Sequence, residues 1–416
     1  MSATASAPLA RGPVSSVTSP LTPPTALTVL ALNSGSSSLK FGVYRVDAYG
    51  ATPLLTGEAH AIGAPEGQFS WVDVRDTTHL KKSLVQRVFA DQADAMQCII
   101  DTLATARLPA VAAVGHRVVH GGPERRAHCL IDDAVLHDLA EAAAFAPLHA
   151  PAALAVIAIA RRHFAKLPHV ACIDTVFHAD MPDVARIFPV AASLRTHGIE
   201  RYGFHGLSCE SIVRQVARCA SDRLVVAHLG NGASVTAIKN GKSIDTSMGL
   251  TPTGGVAMSS RSGDIDPGAM IYWLRQHKMD AAQLEHVLNY ESGLLGVSGV
   301  SGDLRLLHAA ASHNDNARLA VQLFCYSVRK QIAAMIAALG GVDRLVFTGG
   351  IGENDPLVRA SICAGLAWVG VAINEAKNAS QHACIKGTGS RVHVNVLPSE
   401  EAQQIAHHTW QLCFAE

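Results

Sequence analysis

Two glycine- and serine-rich turns, nearly 200 residues apart, are the segments of this chain best suited to hold an anion. One is Asn33-Ser-Gly-Ser-Ser-Ser-Leu-Lys40 and the other is His228-Leu-Gly-Asn-Gly-Ala-Ser234, and each lies between two apolar stretches that read as strands. Backbone N–H groups and hydroxyls in such turns can surround phosphate oxygens, and glycine and asparagine supply the positive φ angles required. The repeat predicts a duplicated fold that holds one phosphorylated ligand from two sides. A plain β-hairpin remains the alternative for each turn.

The common phosphate-binding glycine motifs do not occur in the chain. The sequence contains neither Gly-x-x-x-x-Gly-Lys-Ser/Thr nor Gly-x-Gly-x-x-Gly. The predicted phosphate site is therefore neither a P-loop nor a Rossmann turn.

Two arginines are candidate anion-binding residues. Arg117 lies in an apolar stretch that reads as a strand, where a buried cation is costly unless an anion accompanies it. A salt bridge to a core carboxylate is the alternative to a functional role. His116 and His120 flank it with metal-like spacing, but the surrounding valines and glycines favour a strand, so no zinc site is predicted. Arg261 lies in a glycine-rich segment, 245–267, of a kind that is usually functional or disordered.

An acid and two histidines complete the candidate chemistry. Asp174 follows an apolar strand, and ligands of open α/β sheets bind at the carboxyl ends of strands. A helix N-cap is the alternative role for Asp174. His205 lies among glycines and aromatic residues, where a core position is the alternative, and His149 lies at the end of an element. Together with the arginines and the glycine turns, these groups indicate phosphoryl transfer.

Composition bounds the kind of protein. A chain of 416 residues with 49% hydrophobic residues is expected to form two domains. Lys+Arg and Asp+Glu are equal at 34 each, so no basic field exists to attract nucleic acid or an acidic membrane. The nine cysteines are scattered without a Cys-x-x-Cys pair, which indicates a reducing compartment. Without a membrane span or a signal peptide, we expect a soluble cytoplasmic protein.

The predicted strands and helices alternate as in an α/β protein, and their order repeats after residue 201. Residues 1–26, rich in Ser, Thr, Ala and Pro, are expected to be a disordered tail. Strands are predicted at 28–33, 38–46, 110–114, 169–174, 223–229 and 233–239, and a further buried strand from Leu345 is predicted to lead into a glycine turn. Helices are predicted at 92–106, 133–145, 151–160, 207–218, 268–275, 280–288, 316–339, 356–366 and from about 400 onward.

The sequence closely resembles the acetokinase family. The resemblance runs from about residue 28 to the end and rests on long, ordered motifs. They are the two turns described above, His116-Arg-Val-Val-His-Gly-Gly122, Arg201-Tyr-Gly-Phe-His-Gly206 and Thr348-Gly-Gly-Ile-Gly-Glu-Asn354. The resemblance implies two ribonuclease-H-like, actin-like ATPase domains with a cleft between them. The first domain would comprise residues 27–178, with a C-terminal helix at 402–416 packed back onto it. The second domain would comprise residues 179–401, which would bind the nucleotide and form a homodimer.

The resemblance also implies a set of site residues. Mg²⁺, or Mn²⁺ in its place, would be held by Asn33 and Glu400, with Glu401 as the alternative to Glu400. The catalytic set would be Arg117, Arg261, Asp174, His205 and His149, and the acceptor methyl would meet Val119, Leu148, Phe204 and Pro252. The nucleotide would meet Ser36, Ser38, Lys40, His228, Leu229, Gly230, Asn231, Gly232, Asp303, Leu304, Arg305, Gly349, Gly350, Ile351, Gly352 and Asn354.

The activity implied is reversible, Mg²⁺-dependent transfer of the γ-phosphoryl group of ATP to acetate, giving acetyl phosphate and ADP. A carboxylate acceptor is already ionised at neutral pH, so positioning and charge neutralisation must dominate over base catalysis. A propionate kinase of the same family is one alternative, and a non-catalytic ATP-binding protein is another. The chain departs from the usual family pattern at Ala150, at 253–255 and at Leu304, where an aromatic residue often packs on adenine.

Overall fold

The computed structural model describes residues 26–35, 37–75, 82–147, 149–217 and 222–415, which form two β-sheets flanked by helices. The first sheet has eight strands in the order β5-β4-β3-β2-β1-β6-β8-β7. Its strands are β1 (Leu27–Ser34), β2 (Ser38–Asp47), β3 (Gly50–His60), β4 (Gln68–Asp73), β5 (Lys82–Gln86), β6 (Val111–Val118), β7 (Cys129–Leu130) and β8 (His169–Ile173).

The second sheet has five strands in the order β11-β10-β9-β12-β13. They are β9 (Arg223–Leu229), β10 (Ala233–Lys239), β11 (Lys242–Thr246), β12 (Arg344–Thr348) and β13 (His393–Val396). In each sheet one strand pairs antiparallel with the strand that follows it in the chain and parallel with a later strand. In the first sheet β1 pairs with β2 and β6, and in the second sheet β9 pairs with β10 and β12. The β3-β2-β1-β6-β8 part of the first sheet thus has the same order as the whole second sheet, which confirms the duplicated α/β fold.

Fourteen α-helices occur in the described residues, and the longest of them supports the second sheet. That helix, of 25 residues, starts at the N-cap Asn314 and ends at Gly340 with φ 69°, and its buried side chains join the core that contains β9, β10 and β12. The helices are α1 (Gln92–Thr105), α2 (Asp133–Glu141), α3 (Ala150–His163), α4 (Asp183–Arg186), α5 (Gly206–Val216), α6 (Pro267–Gln276), α7 (Ala281–Tyr290), α8 (Gly293–Ser298), α9 (Leu304–Ala310), α10 (Asp315–Leu339), α11 (Gly349–Asn354), α12 (Pro356–Ala364), α13 (Glu375–Ala379) and α14 (Glu401–Phe414).

The C-terminal helix α14 returns to the first sheet. Its apolar residues Ile405, Ala406 and Trp410 are buried in one cluster with Val29 and Ala31 of β1. This contact matters for the site because it brings the N-terminal end of α14 to the carboxyl end of β1. No helix in the described part of the chain is long and apolar enough to cross a membrane.

Some predicted elements differ from the observed ones. The predicted helix 133–145 ends at Glu141, and a 3-10 turn, Ala142–Phe145, follows it. The glycine-rich segment after β12 is the short helix α11 rather than an open turn. Strands β3, β4, β5, β7, β11 and β13 were not predicted, because several are half-exposed and two have only two or four residues. The predicted tail lies outside the described residues except for Ala26.

Candidate active site

Three neighbouring strand ends of the first sheet form a buried charged cluster. Arg117, in β6, donates from Nε and Nη2 to Oδ2 of Asp174 over 2.8 and 2.5 Å, and Asp174 directly follows β8. Arg117 Nη1 also donates to Oδ1 of Asn33 in β1 over 3.2 Å. The Asp174 side chain is fully buried, and its burial raises the pKa of the carboxyl group against the opposing effect of Arg117. The salt bridge that was the alternative role for Arg117 therefore exists, and it fixes the position of the Arg117 side chain in the site.

One carboxylate from α14 joins this cluster. Glu401, the first residue of α14, accepts a hydrogen bond from Asn33 Nδ2 over 2.8 Å. Burial raises the pKa of Glu401, but Arg117, His228 and the bond from Asn33 outweigh it and hold the pKa below its ordinary value. The Glu400 carboxylate lies against Arg214, 3.1 Å from Nη2, so of the two acids considered for the metal it is Glu401 that faces Asn33.

The second arginine has a different environment. Arg261 donates from Nη1 to the carbonyl oxygen of Pro252 and from Nη2 to Nε2 of His149, both over 3.2 Å. No carboxylate among the described residues forms an ion pair with Arg261. Burial and the nearby Arg117 lower its pKa to about 10, and burial with the two arginines lowers the pKa of His149 to about 3. A neutral His149 can therefore accept the hydrogen bond, and Arg261 keeps an uncompensated positive charge.

Two stacked histidines lie beside Arg261. His205 precedes α5 with a left-handed φ of 59°, and its Nδ1 lies 2.9 Å from the hydroxyl of Ser234. Its ring stacks on that of His228 with centroids 4.1 Å apart, and His228 Nδ1 lies 2.8 Å from the hydroxyl of Ser208. Burial, followed by the neighbouring His228 and the two arginines, lowers the pKa of His205 well below its ordinary value. At neutral pH His205 is thus an uncharged hydrogen-bonding group.

The glycine turn between β9 and β10 approaches these groups closely. A Cβ atom at Gly232 would lie 3.2 Å from Arg261 Nη1 and 3.4 Å from His205 Nε2. Across the cleft, the turn between β1 and β2 places Lys40 opposite Asn33 in the strand register. The pKa of His228, at the start of the second turn, is lowered chiefly by burial and is also affected by Glu401 and Lys40, so the two turns lie close to each other.

A cavity of about 840 Å³ opens beside Arg261 and is large enough for a nucleotide. Arg305 lies on its exposed rim, paired with Asp303, and the buried Leu304 borders it from the core. The sequence-predicted nucleotide residues that line it are Gly230, Asn231, Asp303, Leu304, Arg305, Gly350, Ile351 and Asn354. Three other predicted nucleotide residues lie next to the residues that line the cavity. Leu229 and Gly352 are buried, and Gly349, with φ 77°, packs against the carbonyl group of Leu229.

The predicted acceptor residues are apolar and buried. Val119 and Phe204 are 4% and 1% exposed and belong to the same hydrophobic cluster, and Pro252 is buried next to Arg261. Leu148, predicted for the same pocket, and Ser36, predicted for the nucleotide, lie outside the described residues. Ser38 begins β2 near the first turn. The contacts of Ser234 and Ser208, whose hydroxyls lie within hydrogen-bonding distance of the two histidines, were not predicted.

Two sheets that share the order of five strands, a nucleotide-sized cavity and a buried cluster of charged groups fit a kinase built on a duplicated α/β fold. The chain belongs to the acetokinase family, whose sequence profile matches residues 28–407. It is 39% identical to the acetate kinase of Thermosynechococcus vestitus, over 93% of this chain and 98% of that relative. The acetate kinase of Caldanaerobacter subterraneus subsp. tengcongensis is also 39% identical, over 92% of this chain and 98% of its own.

Solved structures of the family have the same fold. The acetate kinase of Porphyromonas gingivalis superposes with a TM-score of 0.81 at 33% identity, covering 93% of this chain and all of that one. A propionate kinase from Francisella tularensis superposes with a TM-score of 0.85 at 35% identity, with the same coverage. The family resemblance and the fold inferred from the sequence are confirmed.

Proposed function

We propose that this protein is an acetate kinase, which transfers the γ-phosphoryl group of ATP reversibly to acetate to give acetyl phosphate and ADP. The observation that carries the proposal is the Arg261 guanidinium, which has no carboxylate partner among the described residues, borders the nucleotide cavity and hydrogen-bonds the carbonyl oxygen of Pro252 in the predicted acceptor pocket. A buried cation without a carboxylate partner is suited to bind an anionic substrate. The relatives named acetate kinase support the same substrate.

The acceptor needs no general base. Acetate is ionised at neutral pH, so the barrier comes from bringing one anion to another and from orienting the reacting atoms. Arg117 and Arg261 would offset that repulsion by holding the acceptor carboxylate and the transferring phosphoryl group. Asp174 would act by orienting Arg117, which it contacts through two nitrogens.

His205 would act as a neutral hydrogen-bond donor. If its Nδ1 accepts the proton of the Ser234 hydroxyl, its Nε2 carries the ring hydrogen and points toward the region of Gly232 and Arg261. An N–H group there can bind an equatorial oxygen of the phosphoryl group as its charge develops. We therefore propose a direct in-line transfer, with His149 holding Arg261.

The residues around Asn33 fit a magnesium ion. The side chains of Asn33 and Glu401 supply oxygen atoms, and Oδ1 of the buried Asp174 accepts no hydrogen bond of normal geometry from the described residues. Hard oxygen donors of this kind are what Mg²⁺ prefers, and Mn²⁺ accepts them too. We propose that Asn33 and Glu401 hold the metal in place of the pair Asn33 and Glu400. When bound, the ion would neutralise charge on the nucleotide phosphates.

The acyl group would face a small apolar wall formed by Val119, Phe204 and Pro252. This wall suits a methyl group, but one methylene changes discrimination by only about 1–3 kcal/mol, so propionate is the second candidate acceptor. The similarity to the Francisella propionate kinase favours testing it. We expect a higher kcat/KM for acetate than for propionate or butyrate in an assay coupled to ADP formation. A propionate advantage would overturn the substrate assignment, and ATP binding without carboxylate-dependent ADP formation would indicate a non-catalytic protein.

We further propose a homodimer formed by the second half of the chain. Helix α6 has no buried residue, and its Ile271, Tyr272 and Leu274 are 48, 56 and 38% exposed. Contiguous apolar surface of this kind is typical of protein interfaces. The mass in solution from light scattering should be twice that of the chain, and Tyr272→Glu should shift it toward the monomer.

The domain division and the cellular location also remain proposals. We propose that residues 27–178 with α14 form one domain and that 179–401 form the other, because α14 packs on β1. The eight cysteines that the structure describes are free thiols, which fits the reducing cytoplasm.

A further inference from the structure

Glu353 is a partly buried acid that no role assigned so far uses, although it lies within the motif 348–354. Its side chain accepts two backbone hydrogen bonds at the same oxygen, Oε1. One comes from Gly349 N over 3.0 Å and the other from Ser399 N over 3.1 Å. Gly349 begins α11, which borders the nucleotide cavity, and Ser399 lies two residues before Glu401. A single carboxylate oxygen therefore joins the nucleotide side of the site to the segment that carries Glu401.

The segment before α14 needs such a contact because its backbone is strained. Glu400 has φ 34° and ψ 33°, a left-handed conformation that costs about 1–3 kcal/mol for a residue other than glycine. This residue turns the chain so that Glu401 faces Asn33 while Glu400 faces Arg214. The neighbouring Ser399 is held at both backbone groups, by Glu353 at its N–H and by the Ser211 hydroxyl at its carbonyl over 2.6 Å.

Glu353 is itself held firmly. The fully buried Arg359 donates from Nη1 to the carbonyl oxygens of Gly352 and Glu353 over 2.9 and 3.0 Å, and from Nε and Nη2 to Asn378. This anchors the C-terminal part of α11 against the core. The backbone of Glu353 is thus held in place, and from this fixed position its carboxylate contacts the segment before α14.

We infer that Glu353 is a positioning residue that couples the nucleotide-binding helix α11 to the metal-binding carboxylate of Glu401 through Ser399. The inference rests on the proposed metal site. Glu353 acts through the two backbone N–H groups, so an acceptor oxygen at this position is what the role requires. Residues that orient a metal ligand typically change metal affinity by about 10–100-fold when removed.

The test compares three substitutions of Glu353 and measures Mn²⁺ binding in the presence of ADP by electron paramagnetic resonance. Glu353→Gln keeps the acceptor oxygen and should bind Mn²⁺ within about threefold of the unchanged protein, whereas Glu353→Ala and Glu353→Met should weaken binding about tenfold or more. KM for ATP should rise in the same two variants while KM for acetate changes less than about twofold. Glu375→Ala, on the exposed face of α13, is the matched control and should change none of these.

Two results would overturn the inference. Equal loss of Mn²⁺ binding in Glu353→Gln and Glu353→Ala would mean that the charge contacts the metal directly. Unchanged Mn²⁺ binding in Glu353→Met, with a folded protein by circular dichroism, would mean that Glu353 only supports the fold. Mn²⁺ binding with ADP does not require phosphoryl transfer. A protein that binds Mn²⁺ as expected but shows no acetate-dependent ADP formation would therefore refute the proposed function and leave this inference standing.

Discussion

The two halves of this molecule share one sheet plan but contribute different chemistry to the cleft. The first sheet supplies a paired arginine, Arg117, bound to the buried Asp174. The second half supplies Arg261 without a carboxylate partner among the described residues, together with neutral histidines and glycine backbone. Within the site, a carboxylate of the same half compensates Arg117, whereas no carboxylate of the described residues compensates Arg261. Arg261 of the second half is therefore left for an anionic substrate to neutralise.

The largest expected effect separates the two arginines. Arg117→Ala and Arg261→Ala should each lower kcat by about 10²–10⁴-fold, as expected for the loss of a transition-state charge contact. Their effects on folding should differ. Arg117→Ala leaves Asp174 buried and unpaired, which costs about 3–5 kcal/mol, whereas Arg261→Ala should cost less than about 1 kcal/mol. Steady-state kinetics and urea unfolding of both variants check this. Equal destabilisation would erase the difference between the halves.

The next effect concerns the close approach of the second turn. Gly232→Ala would place a methyl group 3.2 Å from Arg261 Nη1, so the guanidinium and His205 must shift. A displacement of a fraction of an ångström in such a site lowers kcat by up to about 100-fold. Gly249→Ala is the control, because a Cβ there meets Phe188 only at 3.5 Å, an ordinary contact. Wild-type kcat in Gly232→Ala would show that the turn does not touch the reacting groups.

Helix α5 joins the two halves through one acid. Glu210, on α5, lies 2.6 Å from His408 Nε2 and 3.4 Å from His128 Nε2. The ligand atoms of these three residues lie within 4.8 Å of one another, as in a metal site. However, Ile173 N–H donates to His128 Nδ1, so the ring hydrogen is on Nε2 and faces the carboxylate. The three side chains therefore form a triad in which His408 hydrogen-bonds the Glu210 carboxylate and His128 Nε2 lies near it without a hydrogen bond of normal geometry.

This triad predicts a dependence of stability on pH. Burial raises the pKa of Glu210, but the neighbouring His128 and His408 outweigh it and lower the pKa to about 2. Because the folded-state pKa lies below the unfolded value of 4.5, the stabilisation is complete above that pH and is lost as the pH falls toward 2. Glu210→Gln should cost about 2–3 kcal/mol at neutral pH and progressively less below about pH 4.5. A cost that does not change with pH in urea unfolding would contradict this.

The smallest expected effect is on the pH profile. The pKa values of His149, His205 and His228 are all lowered, chiefly by burial, to about 3 for His149 and about 4 for His228. All three stay neutral from about pH 6 to about pH 8, so kcat should change less than about twofold over this range. A break near pH 6.5 that disappears in His205→Asn would show that a charged His205 takes part.

The sequence was sufficient for the plan of the fold but not for every partner. Buried strands such as β1, β8 and β9 have continuous apolar runs, and their predicted limits lie within about one residue of those observed. The edge strand β5 is mostly exposed and its neighbour β4 is half-exposed, and both were missed because their side chains alternate weakly.

The choice between Glu400 and Glu401 shows why the site was harder to predict than the fold. Both residues are acids next to each other, and only the left-handed backbone of Glu400 decides which one faces Asn33. That conformation depends on contacts with Ser211, Arg214 and Glu353, which are distant in sequence. Likewise, the pairing of Arg117 with Asp174, 57 residues apart, depends on β6 and β8 being neighbours.

We propose that both halves act together in one direct transfer from ATP to the acceptor. The most direct measurement is the configuration at phosphorus after transfer from ATP that is chiral at its γ-phosphorus through oxygen isotopes. A single in-line displacement inverts the configuration, and inversion is the result expected here. Retention would require an intermediate in which the protein itself carries the phosphoryl group, and it would contradict the account.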